Sequence, residues 1–306
     1  MWFRNLRIYR LPQGFKADLA DLDARLAKRP LARCGSFEMV SRGWVFPRQP
    51  LQDGAFVHAV NRQWLIALGV EQKLLPMTVI RQTAQERAGL IETEQGRKVG
   101  RKEMRDLVDR VTEELLPKAF SQRRTTWGWI DPVHRWLAVD AGADARTDEF
   151  MEVLLATLGD VALRPLLTQV SPLSAMTGWL AENDAPGGFS LDSDLELRAA
   201  SESQSAIRYV RHDIGGPEVA AHIAAGKLVT KLGMTWNDRI SLVLTDKLHL
   251  KRLAFLDIIK EQAEQSAQGS AGADELFDAD FALMAGELAQ LFEDLLVALG
   301  GEQKPQ

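Results

Sequence analysis

The chain has 306 residues, 46% hydrophobic and 26% charged, enough to bury a substantial core in about two domains. Its formal net charge of −5 and pI near 5.7 exclude a surface that is cationic throughout, so any phosphate-binding surface must be local. One cysteine, Cys34, excludes an internal disulfide and a multi-cysteine metal site and reads as a buried apolar filler, and no apolar run approaches the roughly 18 residues of a membrane span.

The opening MWFRNLRIYRL lacks the apolar core of a signal peptide, so a cytoplasmic protein without membrane contact is expected. WFRNLRIYRL has a strand-like pattern, and Leu19, Leu22 and Leu26, between Lys16 and Arg29, stand at helical spacing. Local charge is positive here, with eight basic residues against three acidic ones from Met1 to Arg33. Pro47 and Pro50 mark a loop, and Phe56 to Val60 with Trp64 to Val70 reads as a hairpin turning near Asn61.

A helix is expected from Pro76 to Glu94, and a second, separated from it by Gly96 and Gly100, ends near Leu116. At about 100° per residue, Arg97, Lys98, Arg101, Lys102 and Arg105 share one arc, beside an apolar arc of Met104, Leu107, Val108, Val111 and Leu115. One face packs and its neighbour can hold a polyanion, although an ordinary solvated face has the same pattern, and the two glycines allow Arg97 and Lys98 to lie in a joint instead. Pro117 stops the helix, and Lys118, Phe120, Arg123 and Arg124 read as a basic loop carrying an aromatic.

Thr125 to Ile130 and Trp136 to Val139 form an expected hairpin around Asp131 and Pro132, followed by a helix from Ala145 to Leu158 and a strand near Leu163 to Leu167. Beyond it come a helix from Ser174 to Asn183, strands from Leu195 to Ala199 and Ala206 to Arg211, and a helix from Pro217 to Ala225. An antiparallel meander follows: Lys227 to Trp236, Arg239 to Leu244 and Leu248 to Leu253. A period of two puts Lys227, Val229 and Lys231 on one side of its first strand. Gln262 to Ala273 has the composition of a flexible connection. The last helix, with Asp278 or Asp280 as its cap, carries the apolar stripe Phe281, Met284, Leu288, Leu291, Phe292 and Leu295. The fold class is α+β, with antiparallel sheets and packed helices. It divides into residues 1–75, a helical projection with a basic face at 76–118, the remainder of the first α+β unit at 119–170, and a second α+β unit at 171–306.

Enzyme motifs fail. AAGKLVT resembles the end of a phosphate-binding loop, but Ala221 replaces its first glycine and Leu228 its magnesium-binding hydroxyl. His58, His134, His212, His222 and His249 are scattered, without ligand spacing. In FDADF, Asp278 and Asp280 with Glu287 offer a divalent metal site in principle, but two aspartates at a helix start serve as capping and dipole partners. No catalytic residue, metal or cofactor is expected.

Four long strings carry a family resemblance: WFRNLRIYRL, LLPKAFSQRRTTWGWID, AGKLVTKLGMTWNDRISLVLTD with LKRLAFLD, and FDADFALMAGELAQLFEDLLVALGGE. Together they make the chain resemble the recombination-associated protein RdgC family of bacterial DNA-binding proteins, over nearly its whole length. One departure is Arg62, where the hairpin at Asn61 is expected to carry glycine.

The resemblance implies an elongated, curved subunit that forms a ring-shaped homodimer, encircles duplex DNA without sequence preference and restrains the RecA recombinase. Single-stranded DNA and RecA itself are further candidate partners, and a nucleoid-associated location follows. On this reading the phosphate contacts are Arg97, Lys98, Arg101 and Lys102, then Lys118, Arg123 and Arg124, then Lys227, Lys231, Lys251 and Arg252. Phe120, Arg211 and His212 are candidates for the ring-closing contact. Two rivals stand beside it: an adaptor that meets recombination proteins directly, and a metal-dependent nuclease needing Asp278, Asp280, Glu287 or Asp246 to converge.

Overall fold

The computed structural model describes residues 1–15, 18–48, 54–159, 161–200, 205–259, 261–262 and 272–303. Lys16, Pro50 and nearly all of the expected connection from Gln262 to Ala273 lie outside the described residues. In chain order the strands are β1 (Leu6–Arg10), β2 (Val40–Val45), β3 (Val57–Val60), β4 (Gln63–Lys73), β5 (Ser121–Asp131), β6 (Trp136–Asp140), β7 (Arg164–Pro165), β8 (Phe189–Ala199), β9 (Ala206–Tyr209), β10 (Lys227–Trp236), β11 (Ile240–Thr245) and β12 (Leu250–Phe255). The helices are α1 (Leu19–Leu26), α2 (Met77–Gln95), α3 (Arg101–Leu115), α4 (Asp144–Leu158), α5 (Pro172–Glu182), α6 (Pro217–Ala224) and α7 (Ala273–Ala298). The chain is α+β and forms two compact units: Met1–Leu19, Val57–Ile66 and Thr126–Gln306 make the first, Ala20–Phe56 and Ala67–Thr125 the second.

In the first unit the strand order is β5-β6-β1-β12-β11-β10-β8-β9, every neighbouring pair antiparallel. Alternation decides what each strand buries: Leu6 and Ile8 of β1 enter the core, as do Leu195 and Leu197 of β8, while Glu196 between them faces the other way. Helix α7 packs on this core through Phe281, Met284, Leu288, Leu291, Phe292 and Leu295, the three-and-four spacing of one helical stripe. Phe292 lies 5.7 Å from the rings of both Trp129 and Trp136. Burying an indole strands its N–H, and Trp129 donates to Gln63 Oε1 at 2.7 Å, Trp236 to Asp294 Oδ2 at 2.9 Å.

Three expectations for this unit change. Helix α7 begins at Ala273, because Asp274 and Glu275 already suit the positive end of its dipole, so Asp278 and Asp280 lie inside the helix instead of capping it. The turn after β3 does bend at Asn61, but with both Asn61 and Arg62 at positive φ (49° and 66°) it accepts arginine where glycine is favoured. Strand β10 is bulged: Val229 pairs with Leu197 and Lys231 with Glu196, so Thr230 is an extra residue. The strict period of two therefore fails there. Val229 is wholly buried, while Lys231 joins Glu196 on the opposite face.

In the second unit β2 and β4 pair from Val40↔Gln72 to Val45↔Ala67. Gly43 is required here, because a Cβ on it would stand 2.4 Å from the backbone oxygen of Pro30 and the nitrogen of Leu31, where Leu31 N–H bonds Trp44 O. Gly43→Ala is expected to cost about 2 kcal/mol of unfolding free energy, since the backbone it strikes cannot rotate away. Urea unfolding checks this, and an unchanged midpoint would contradict it.

Helices α2 and α3 form a hairpin, Ile80, Ala84 and Ala88 packing against Leu107 and Val111. Gly96, at φ 64°, closes α2, and Gly100 precedes α3. Arg97 and Lys98 thus lie in the joint, not on one continuous helical arc with Arg101. Strand β5 begins at Ser121, so Arg123 and Arg124 belong to a strand instead of a loop.

Candidate nucleic-acid interface

The apolar seam of the α2–α3 hairpin leaves its other faces to solvent. At the tip, Lys98, Arg101, Lys102 and Arg105 are exposed, and none has an ion-pair partner among the described residues. Arg97 differs, its guanidinium meeting both oxygens of Glu103 at 2.7 and 2.9 Å. That pair raises the Arg97 pKa and lowers that of Glu103, so Arg97 arrives already neutralised. Exposed lysines and arginines without a carboxylate partner among the described residues attract phosphate by charge and by unspent N–H donors.

The other basic residues of this unit are more committed. Lys118 Nζ lies 3.6 Å from Glu114, which also pairs with Arg87 at 2.6 Å. Arg123 donates to buried Glu71 at 2.7 Å, and this hydrogen bond holds the Glu71 carboxyl below its usual range in spite of burial. Arg123 is thereby tied to the fold. Cys34 is half-buried, its Sγ donating to Glu71 O at 3.1 Å. Arg124 is half-buried in β5. Phe120, just before β5, has 84% of its surface exposed, the largest exposed fraction among the described large apolar residues.

The first unit carries a separate basic surface on the open side of β8, β9, β10 and β12. A cavity of about 360 Å³ is lined by Asn5, Asp194, Glu196, Arg208, Lys231, Lys251 and Arg252, among others. Its centre is the buried carboxylate of Glu196, which accepts from Lys231 Nζ at 2.9 Å, Arg208 Nε at 2.6 Å, Arg198 Nε at 3.0 Å and Thr230 Oγ1 at 3.2 Å. Burial pushes this carboxyl up, but hydrogen bonds from Lys231, Arg208 and Arg198 and the Lys231 charge prevail and hold it at about 2. Asp194 pairs with Arg252 at 2.8 Å. Bases outnumber acids around the cavity. His249 is pushed down to about 4, by burial first and then by the charges of Arg7, Lys251 and Lys247.

Of the residues expected from sequence, Lys231, Lys251 and Arg252 meet at this cavity. Lys227 does not, its Nζ lying 3.0 Å from His222 Nδ1. Arg211, at φ 51°, directs its N–H to Asp194 Oδ1, and His212 stacks on Tyr209 and pairs with Glu218. Arg198 and Arg208 were missed. Their signal is cross-strand, since Glu196 faces Arg208 only once the β8–β9 register is known.

The carboxylates of the nuclease reading stay apart. Both oxygens of Glu287 accept from the Arg239 guanidinium, from Nε at 2.8 Å and Nη2 at 2.5 Å, Asp278 meets His58 at 2.8 Å, and Asp280 takes the Met1 ammonium at 2.8 Å. Among the described residues no group of three or more His, Cys, Asp or Glu could hold a metal ion, and no helix is long and apolar enough to cross a membrane.

A family model described as "Putative exonuclease, RdgC" matches residues 1–302. The recombination-associated protein RdgC of Dechloromonas aromatica (strain RCB) is 52% identical over 305 residues, covering 99% of this chain and 98% of that protein. Those of Herminiimonas arsenicoxydans and Janthinobacterium sp. (strain Marseille) are each 48% identical, over 303 and 302 residues, covering 99% of both chains in each case. With a match along almost the entire chain and nearly half or more of its residues identical to these relatives, the chain belongs to the RdgC family of recombination-associated proteins.

Proposed function

We propose that the chain acts in recombination as a non-sequence-specific DNA-binding protein, its homodimer closing as a ring around duplex DNA and restraining RecA at the nucleoid. The observation that carries this reading is the set of four exposed cations at the hairpin tip without an ion-pair partner among the described residues, on a chain whose net charge is −5. Such cations recognise the phosphate backbone, which is alike in every sequence. The family description names an exonuclease, yet Glu287, Asp278 and Asp280 each already serve another side chain or the amino terminus. Incubation of duplex DNA with the protein and magnesium is expected to give complexes and intact DNA, and shortening of the strands would overturn the non-enzymatic reading.

Ring closure is tested at Phe120. An exposed aromatic in a protein contact supplies a large buried area with few rotatable bonds, and truncating such an anchor typically costs about 2 kcal/mol or more. Phe120→Ala is expected to remain folded and dimeric through its other interface, yet to lose salt-resistant retention on circular plasmid more than affinity for short linear duplex. Wild-type protein washed with high salt should stay on circular plasmid and leave linearised plasmid. Equal retention on both forms would exclude a closed ring.

A further inference from the structure

In the first unit β1, β6 and β7 run side by side, and the cavity beside them is lined by none of the residues assigned to DNA. Antiparallel register sets Arg10 of β1 opposite Trp136 on one flank and Arg164 of β7 on the other. Arg135 immediately precedes Trp136, held at φ 62° with its carbonyl accepting from Leu11 N–H at 3.0 Å. The three arginines line a cavity of about 540 Å³, with Gln13 and Gln303 as further polar groups and Leu11, Pro12 and Ala162 as an aliphatic wall.

The three guanidiniums are not equivalent. Arg10 is fixed, donating to both oxygens of Glu302 and to His134 O at 2.6 Å, with its Cζ 3.5 Å over the Trp136 ring. Glu302 is thereby consumed. Arg135 and Arg164 have no ion-pair partner among the described residues, so two like charges converge on a cavity whose one described carboxylate, Glu302, is taken by Arg10. Two planar forks, each with several N–H donors, fit a tetrahedral dianion better than a single carboxylate. The cavity is within the size range of small-molecule sites and exceeds what a bare phosphate fills.

We infer that this cavity binds the phosphomonoester of a nucleotide, Arg135 and Arg164 holding the phosphate and the wall of Leu11, Pro12 and Ala162 receiving the nucleoside. Free nucleotides and the 5′-phosphorylated end of a DNA strand share this chemistry. The site does not depend on the ring reading.

The test uses the full chain at 0.15 M salt, where exposed charges at a distance are screened over about 8 Å. Calorimetric titration with 2′-deoxyadenosine 5′-monophosphate is compared between wild type and the R135G/R164A double variant. Glycine suits the left-handed backbone at 135, and Arg164 is exposed, so the variant should unfold at the wild-type temperature or above it. Saturable binding by the wild type, at least about tenfold weaker in the variant while duplex DNA affinity is retained, is expected from the loss of two charge-assisted contacts. Absence of saturable binding by the wild type, equal binding by the variant, or inorganic phosphate binding as tightly as the nucleotide would each overturn the assignment. Oligonucleotides with and without a 5′-phosphate then identify the source: preference for the phosphorylated strand assigns the site to DNA ends, and equal affinity assigns it to free nucleotide.

Discussion

Glu196→Ala should lower the unfolding free energy by about 3 kcal/mol at pH 7, because it leaves Lys231, Arg208 and Arg198 crowded around an empty buried position. The figure stays below the upper range for a buried pair because the cationic partners are themselves 34–67% exposed and can turn into water. Acid supplies a second readout. The Glu196 pKa is depressed from 4.5 to about 2 in the folded chain, so its contribution is complete above pH 4.5 and is lost as the pH falls through 2. The stability gap between wild type and variant should therefore narrow across that window. A gap that stays constant down to pH 2 would mean that packing, not charge, is what the carboxylate provides.

Replacing Lys98, Arg101, Lys102 and Arg105 together by alanine should weaken duplex binding about a thousandfold near 0.1 M salt, taking about 1 kcal/mol for each phosphate neutralised. The thermal midpoint should barely move, since these side chains are exposed and pair with nothing among the described residues. Arg97→Ala alone should do much less, because Glu103 already occupies that guanidinium. Fluorescence anisotropy and thermal unfolding on the same preparations separate the two roles. Loss of stability in step with affinity would make the tip cations structural.

Periodicity in the sequence revealed the hairpin seam, the β1 alternation and the α7 stripe, because each rests on one element's own spacing and a core large enough to enforce it. What escaped depends on pairing between distant segments. The bulge at Thr230 moves Lys231 off the face that a period of two assigns to it, and it exists because Thr230 and Lys231 both reach Glu196, 35 and 34 residues earlier in the case of Lys231 and Thr230 respectively. That Arg123 Nε is committed to buried Glu71 depends on a partner 52 residues away, which charge pattern cannot show. Arg198 and Arg208 were hidden for the same reason, each drawing its meaning from Glu196. Charge pattern alone located a basic region but not which cations were unspent, and that distinction separates Lys98, Arg101 and Lys102 from Arg97, Lys118 and Arg123.

If the chain recognises phosphates and not bases, its duplex affinity must depend on salt and not on sequence. Two unrelated duplexes of equal length, titrated between 50 and 300 mM salt, should give superimposable lines of log K against log salt, with a slope of about −0.9 for each phosphate neutralised. The four-alanine hairpin variant should have a slope shallower by about 3.6 on the same scale. A flat line, or two duplexes whose affinities differ by orders of magnitude, would mean that binding does not rest on the phosphate backbone.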